Sequence, residues 1–112
     1  MEYLTKEIKK LISSHAKEES PNECCGIIVE LNKLYKLIKC ENVARNKKND
    51  FKIKAEDYLT ATRLGDIIAY YHSHVEDEVG RFSLADAKIS RAHEIPLVMY
   101  SMRDDNFLIF KN

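Results

Sequence analysis

The sequence has no surplus of charge: 18 Lys and Arg offset 18 Asp and Glu, for a formal net charge of zero. That balance gives no support to bulk electrostatic binding of nucleic acid or of an anionic membrane. The chain also lacks any apolar run near the roughly 20 residues a membrane helix needs. Residues 1–10 carry charges throughout and have no apolar h-region, so no signal peptide is expected. A cytoplasmic protein is therefore the expectation. Cysteine is scarce too. Cys24, Cys25 and Cys40 are an odd number and too few for a disulfide scaffold, so they read as reduced thiols. No internal repeat, low-complexity tract or linker breaks the chain. Its 112 residues, 45% of them apolar, suit one domain spanning residues 1–112 with one core.

Within those bounds the hydrophobic pattern is legible. Leu4, Ile8, Leu11, Ile12 and His15 fall at helical spacing, predicting an amphipathic helix over 3–17. Glu18 to Asn22 is a polar break with a proline. Residues 26–30 form a short run of branched apolar residues and predict a strand. Residues 31–33 read as a tight turn, and 34–40 pairs back as a hairpin. A charged loop over 44–50 leads to a brief third strand, 51–53. Residues 55–64 predict a helix, with Gly65 in the usual C-terminal glycine position. Residues 67–74 predict a central buried strand. An acidic loop, 75–82, precedes a helix over 83–93 that stops before Pro96. Strands 97–102 and 107–110 close the chain as a hairpin. The order αββ(β)αβαββ predicts an α/β fold, a mixed sheet with helices packed on it.

The chemistry concentrates at the end of the central strand. His72 and His74 are one residue apart, so on a strand both side chains point to one face. Two imidazoles converging there make half of a metal site. Tyr70 and Tyr71 are bulky neighbours whose rings could flank it. Asp86 could supply a third ligand. Two histidines and a carboxylate leave the fourth position of a tetrahedral Zn²⁺ open for water, the catalytic arrangement. Asp86 has a second reading: Ser83 with an acidic residue three on outlines an N-terminal capping box. The two readings are compatible, and spacing alone does not choose. A zinc-bound water also needs a general base. Glu23, Glu19, Glu18 and the Glu76–Asp77–Glu78 cluster are the candidates. Glu23 stands out because it precedes Cys-Cys-Gly and a strand. His15 and His93 sit in helical patterns and read as ordinary helix residues. The Cys24–Cys25 pair lacks the two-residue gap of a zinc knuckle. The His-x-Glu and Pro-Cys-x-x-Cys signature of nucleobase deaminases is absent.

Asn-Glu-Cys-Cys-Gly-Ile-Ile at 22–28, Tyr-His-Ser-His at 71–74 and Ser-Leu-Ala-Asp at 83–86 closely resemble the JAMM (MPN+) metalloprotease motif. The match spans residues 23–86, with its elements in order. The resemblance implies that His72, His74 and Asp86 bind Zn²⁺, that Glu23 is the general acid and base, and that Ser83 hydrogen-bonds the oxyanion. It implies a cytidine-deaminase-like mixed sheet flanked by helices. It implies hydrolysis of a peptide or isopeptide bond, in a ubiquitin-like or small carrier-protein tail or in a phage tail or cell-wall peptide. The partner would be a protein or peptide substrate, with a homodimer or a partner protein also open. The competing class is a non-catalytic MPN-type scaffold, in which the ligand set is usually broken; a metal-binding sensor without hydrolysis is a third. Two departures stand out. Eleven residues separate His74 from Asp86, one more than is usual in the family, and Val75 and Phe82 stand where relatives often have proline. Both lie in the loop that borders the substrate groove in relatives.

Overall fold

The computed structural model describes residues 2–75 and 94–111. Helix α1 (Lys6–Glu19) packs against one face of a five-stranded sheet, and helix α2 (Ala55–Leu64) against the other. The strands are β1 (Cys25–Leu31), β2 (Leu34–Cys40), β3 (Asp66–His74), β4 (Leu97–Ser101) and β5 (Asn106–Phe110). Their spatial order is β2-β1-β3-β4-β5, which puts β3 at the centre. Every neighbouring pair is antiparallel except β3 and β4, so the sheet is mixed, as the sequence predicts. The predicted helix at 83–93 and loop positions 76–82 lie outside the described residues.

Helix α1 starts where the sequence supplies a cap: Thr5 Oγ1 accepts the Ile8 amide at 3.1 Å. Its buried residues Ile8, Ile12, His15 and Ala16 recur at helical spacing and face the sheet. Ile8, Ile12 and Ala16 join Cys24, Ile28, Ala69, Tyr71, Val98 and Tyr100 in one core. Cys25, Ile27, Val29, Cys40, Phe51, Ala61, Tyr70 and Leu97 form a second core on the α2 side. Strand alternation produces this division: Tyr71 goes to α1, and Tyr70 to α2.

Two glycines are required by close approach. Gly26 lies opposite Tyr71 in the β1–β3 register, and a methyl group there would overlap the tyrosine ring. Gly65 departs from the expectation of a left-handed helix cap. Its φ of 168° is extended backbone. What excludes a side chain is the Glu30 carbonyl oxygen, which a methyl group would meet at 2.5 Å. The predicted third strand at 51–53 also reduces to less: among the described residues, an isolated bridge joins Ile53 to Asn42. Segment 41–54 is held by backbone hydrogen bonds from Val43 to Lys52 and from Lys54 to Glu41 together with side-chain hydrogen bonds centred on Asn42.

Candidate metal centre

The end of β3 is where the two histidines converge. Both are buried, as is Glu23 at 5% exposure. Glu23 ends the segment leading into β1, and Cys25 pairs with His72 across the β1–β3 ladder. The start of one strand thus lies beside the end of its antiparallel neighbour, which brings residues 49 apart in sequence together. His72 Nε2 and His74 Nε2 are 3.0 Å apart, and their rings meet edge to face at 4.8 Å. His74 Nε2 lies 4.0 Å from Glu23 Oε2. Ligating atoms of Glu23, His72 and His74 all fall within 4.8 Å of one another. Among the described residues this buried trio could hold a metal ion.

The donor set fits zinc. Two nitrogens on a tetrahedral Zn²⁺, each about 2.0–2.1 Å from it, stand about 3.3 Å apart. The Nε2 pair at 3.0 Å is close to that edge. The Glu23 oxygen at 4.0 Å is farther than a shared ligand edge and suits a contact through a bound water.

Each member of the trio is fixed by its surroundings. Phe51 stacks on His72, with ring centroids 4.4 Å apart and an interplanar angle of 23°. The His74 carbonyl accepts the Met102 amide at 3.0 Å, which ties the strand end to the turn after β4. Ser73, between the histidines, points to the opposite face. Its Oγ accepts the Cys24 amide at 2.8 Å, and its own amide donates to the Cys24 carbonyl at 3.1 Å. The Glu23 amide donates to the Lys47 carbonyl at 2.7 Å, and the Glu23 carbonyl accepts from Asn42 Nδ2 at 2.9 Å.

Of the sequence candidates, the structure gathers Glu23, His72 and His74. Glu18 instead pairs with Lys39 at 2.8 Å on the surface, and Glu19 is exposed. Asp86, Ser83 and the Glu76–Asp77–Glu78 cluster lie outside the described residues, as does His93. Tyr71 does not flank the site. It lies on the α1 face, where its hydroxyl shares a 2.8 Å hydrogen bond with His15 Nδ1. His15 is therefore more than a helix-surface residue: it is buried and paired 56 positions away. The cysteines are buried and free. Burial pushes the Cys24 and Cys40 thiols up to about 12 and raises Cys25 as well, so all three stay protonated at neutral pH. Asn42, Phe51 and Ser73 are the contributors that the sequence reading missed. Only Ser73 carried a signal, since alternation must turn it away from its flanking histidines.

Comparison with known proteins gives relatives in sequence and in fold. The chain is 33% identical over 63 residues to the tail tip assembly protein K of Escherichia phage N15. That match covers 56% of this chain and 26% of the phage protein, so the chain spans about a quarter of that relative's length. A solution structure from Desulfitobacterium hafniense shares the fold with a TM-score of 0.73 at 18% identity, over 94% of this chain and 78% of that one. A second, from Salinibacter ruber, gives 0.62 at 20% identity, over 96% and 79%. Residues 5–108 match the model of the prokaryotic homologs of the JAB domain. With its sheet and its Glu–His–His cluster in the places described, the chain belongs to that family of prokaryotic JAB-domain homologs.

Proposed function

We propose that residues 1–112 form a single zinc-dependent metallopeptidase or isopeptidase domain. The observation that carries this reading is the buried Glu23–His72–His74 cluster at the end of β3. His72 and His74 would hold the ion from one strand face, and Asp86 would complete the set, as the motif resemblance implies. When bound, Zn²⁺ lowers the pKa of water to about 7 and polarises a carbonyl. Glu23, buried and about one water away from His74, would take the proton of the attacking water and return it to the leaving amine. Ser83 would donate to the developing oxyanion, a contribution of about 2.7–4 kcal/mol for one such donor. Phe51 keeps the His72 imidazole from drifting, and Ser73 does the same for the residue after Glu23.

The substrate would be a peptide or isopeptide bond near the tail of a ubiquitin-like or small carrier protein, or in a phage tail or cell-wall peptide. The likeness to tail tip assembly protein K supports the second group. The test is zinc content together with cleavage of a diglycine-linked isopeptide and of a cell-wall stem peptide. Wild type and Glu23→Gln should both retain zinc, while the variant loses cleavage by about 10²–10⁴-fold. Equal cleavage by both would remove Glu23 from its role. No stoichiometric zinc in the wild type would favour the non-catalytic scaffold.

A further inference from the structure

We infer that Asn42 is a positioning residue that sets where the Glu23 carboxylate stands; this rests on the metal-centre reading above. Asn42 is buried, and its amide is saturated. Nδ2 donates to the Glu23 carbonyl at 2.9 Å and to the Asp50 carbonyl at 3.0 Å. Oδ1 accepts the Ala44 and Lys52 amides, both at 3.0 Å. One side chain therefore uses both N–H donors and both lone pairs of its one oxygen to close segment 42–52 and bind it to Glu23. The Glu23 amide is caught by the same segment, through Lys47. On its other side the Cys24 amide is held by Ser73 Oγ, between the two histidines.

These contacts hold the main chain on both sides of Glu23. Its carbonyl belongs to Asn42, its amide to Lys47, and its neighbour to the His-Ser-His strand. Where that main chain stands sets the reach of the carboxylate, and a group acting through a bound water must stand within about 0.5 Å of its productive position. The chemistry of the clamp calls for an amide. An aspartate at 42 keeps the acceptor toward Ala44 and Lys52 but has no N–H for the Glu23 carbonyl. A glutamine adds a methylene to a closed, buried loop.

The experiment is a double-mutant cycle read in zinc affinity, which requires no substrate. Zinc dissociation constants are measured by chelator competition for the full chain as wild type, Asn42→Asp, Glu23→Ala and the double variant, with amide spectra of each. Glu23 is not a ligand in this reading, so its variants keep stoichiometric zinc, but a carboxylate on the bound water still adds to affinity. Groups one step outside a metal's ligands typically change affinity by about 10–100-fold, and Asn42 stands one step farther, so about three- to tenfold weakening is expected for Asn42→Asp alone. In the Glu23→Ala background the same change should weaken zinc less than about twofold, because the carboxylate it positions is gone. Equal losses in both backgrounds would make Asn42 a loop-building residue only and overturn the inference, as would no loss in either. Absence of zinc binding by the wild type is a separate result: it overturns the metal reading and takes this assignment with it. If Asn42→Asp does not fold, Asn42→Ser, which is smaller and keeps a hydroxyl donor, carries the cycle.

Discussion

The two faces of β3 each bury histidine, and they do so on different terms. On the α1 face, His15 meets the Tyr71 hydroxyl at 2.8 Å: a nitrogen and a hydroxyl, complementary without any added ion. On the α2 face, His72 and His74 turn two imidazole nitrogens toward each other at 3.0 Å, with the Glu23 carboxylate 4.0 Å from one of them. The first arrangement is complete as a core contact. The second closes as a hydrogen bond when one Nε2 carries the proton; with both nitrogens unprotonated it is a set of electron-pair donors beside a carboxylate, which a cation would hold together. Burial alone thus does not mark a functional histidine; the chemistry of what faces it does.

Crossed variants give the largest effects that can break this comparison. Tyr71→Ala removes a fully buried ring that spans both Gly26 and His15, and should cost about 3–5 kcal/mol in urea unfolding of the metal-free protein. It should leave zinc-linked stabilisation in place. His74→Ala should do the reverse. Zinc at a hundred times its dissociation constant should add about 2.7 kcal/mol to wild type and to Tyr71→Ala, and nothing comparable to His74→Ala. Zinc stabilisation that survives in His74→Ala would dissolve the distinction between the faces.

The pH dependence sharpens it on the α1 side. Burial lowers the His15 pKa below 6.5; Lys39 lowers it further, while Glu19 and Glu18 oppose that. The folded state therefore favours the neutral ring. Stability from this group is fully present above the unfolded pKa of about 6.5 and is lost as pH falls from there toward the lowered folded value. The slope for one proton is at most about 1.4 kcal/mol per pH unit. His15→Gln should flatten this part of the stability profile of the metal-free chain. An unchanged slope would mean that His15 is not what titrates.

How much of this was legible depends on what carries each contact. His72 and His74 were readable because strand alternation alone puts both on one face. The helix stripe of α1 was readable from its periodicity. Glu23 was singled out because it precedes a strand, but its place beside His74 depends on the β1–β3 pairing, which no local spacing encodes. Residues 44–50 read as a charged loop and 51–53 as a short strand because much of the order of segment 41–54 comes from Asn42 gripping main-chain atoms, beside a few backbone hydrogen bonds. Such contacts leave no pattern in residue types. His15 looked ordinary for a similar reason: its partner is Tyr71, and the pairing exists only once α1 lies on the sheet. Gly65 sat at the expected position for a different cause, the Glu30 carbonyl rather than a left-handed cap.

The smallest effect concerns a place far from both histidine sets, the turn between β1 and β2. Asn32 and Lys33 have φ values of 53° and 67°, the left-handed pair that a two-residue hairpin turn demands. Asparagine tolerates that region; lysine does not, and the cost is roughly 1–2 kcal/mol for an ordinary side chain. Lys33→Gly removes most of that strain but adds chain entropy to the unfolded state, about 0.5–1 kcal/mol in the opposite direction. The net should be a gain of a few tenths to about 1 kcal/mol in thermal or urea unfolding. Zinc affinity should not change, because the turn lies at the end of β1 remote from Glu23. A shift in zinc affinity would mean that the hairpin and the metal centre are coupled through β1, and the separation of the site from the rest of the sheet would have to be redrawn.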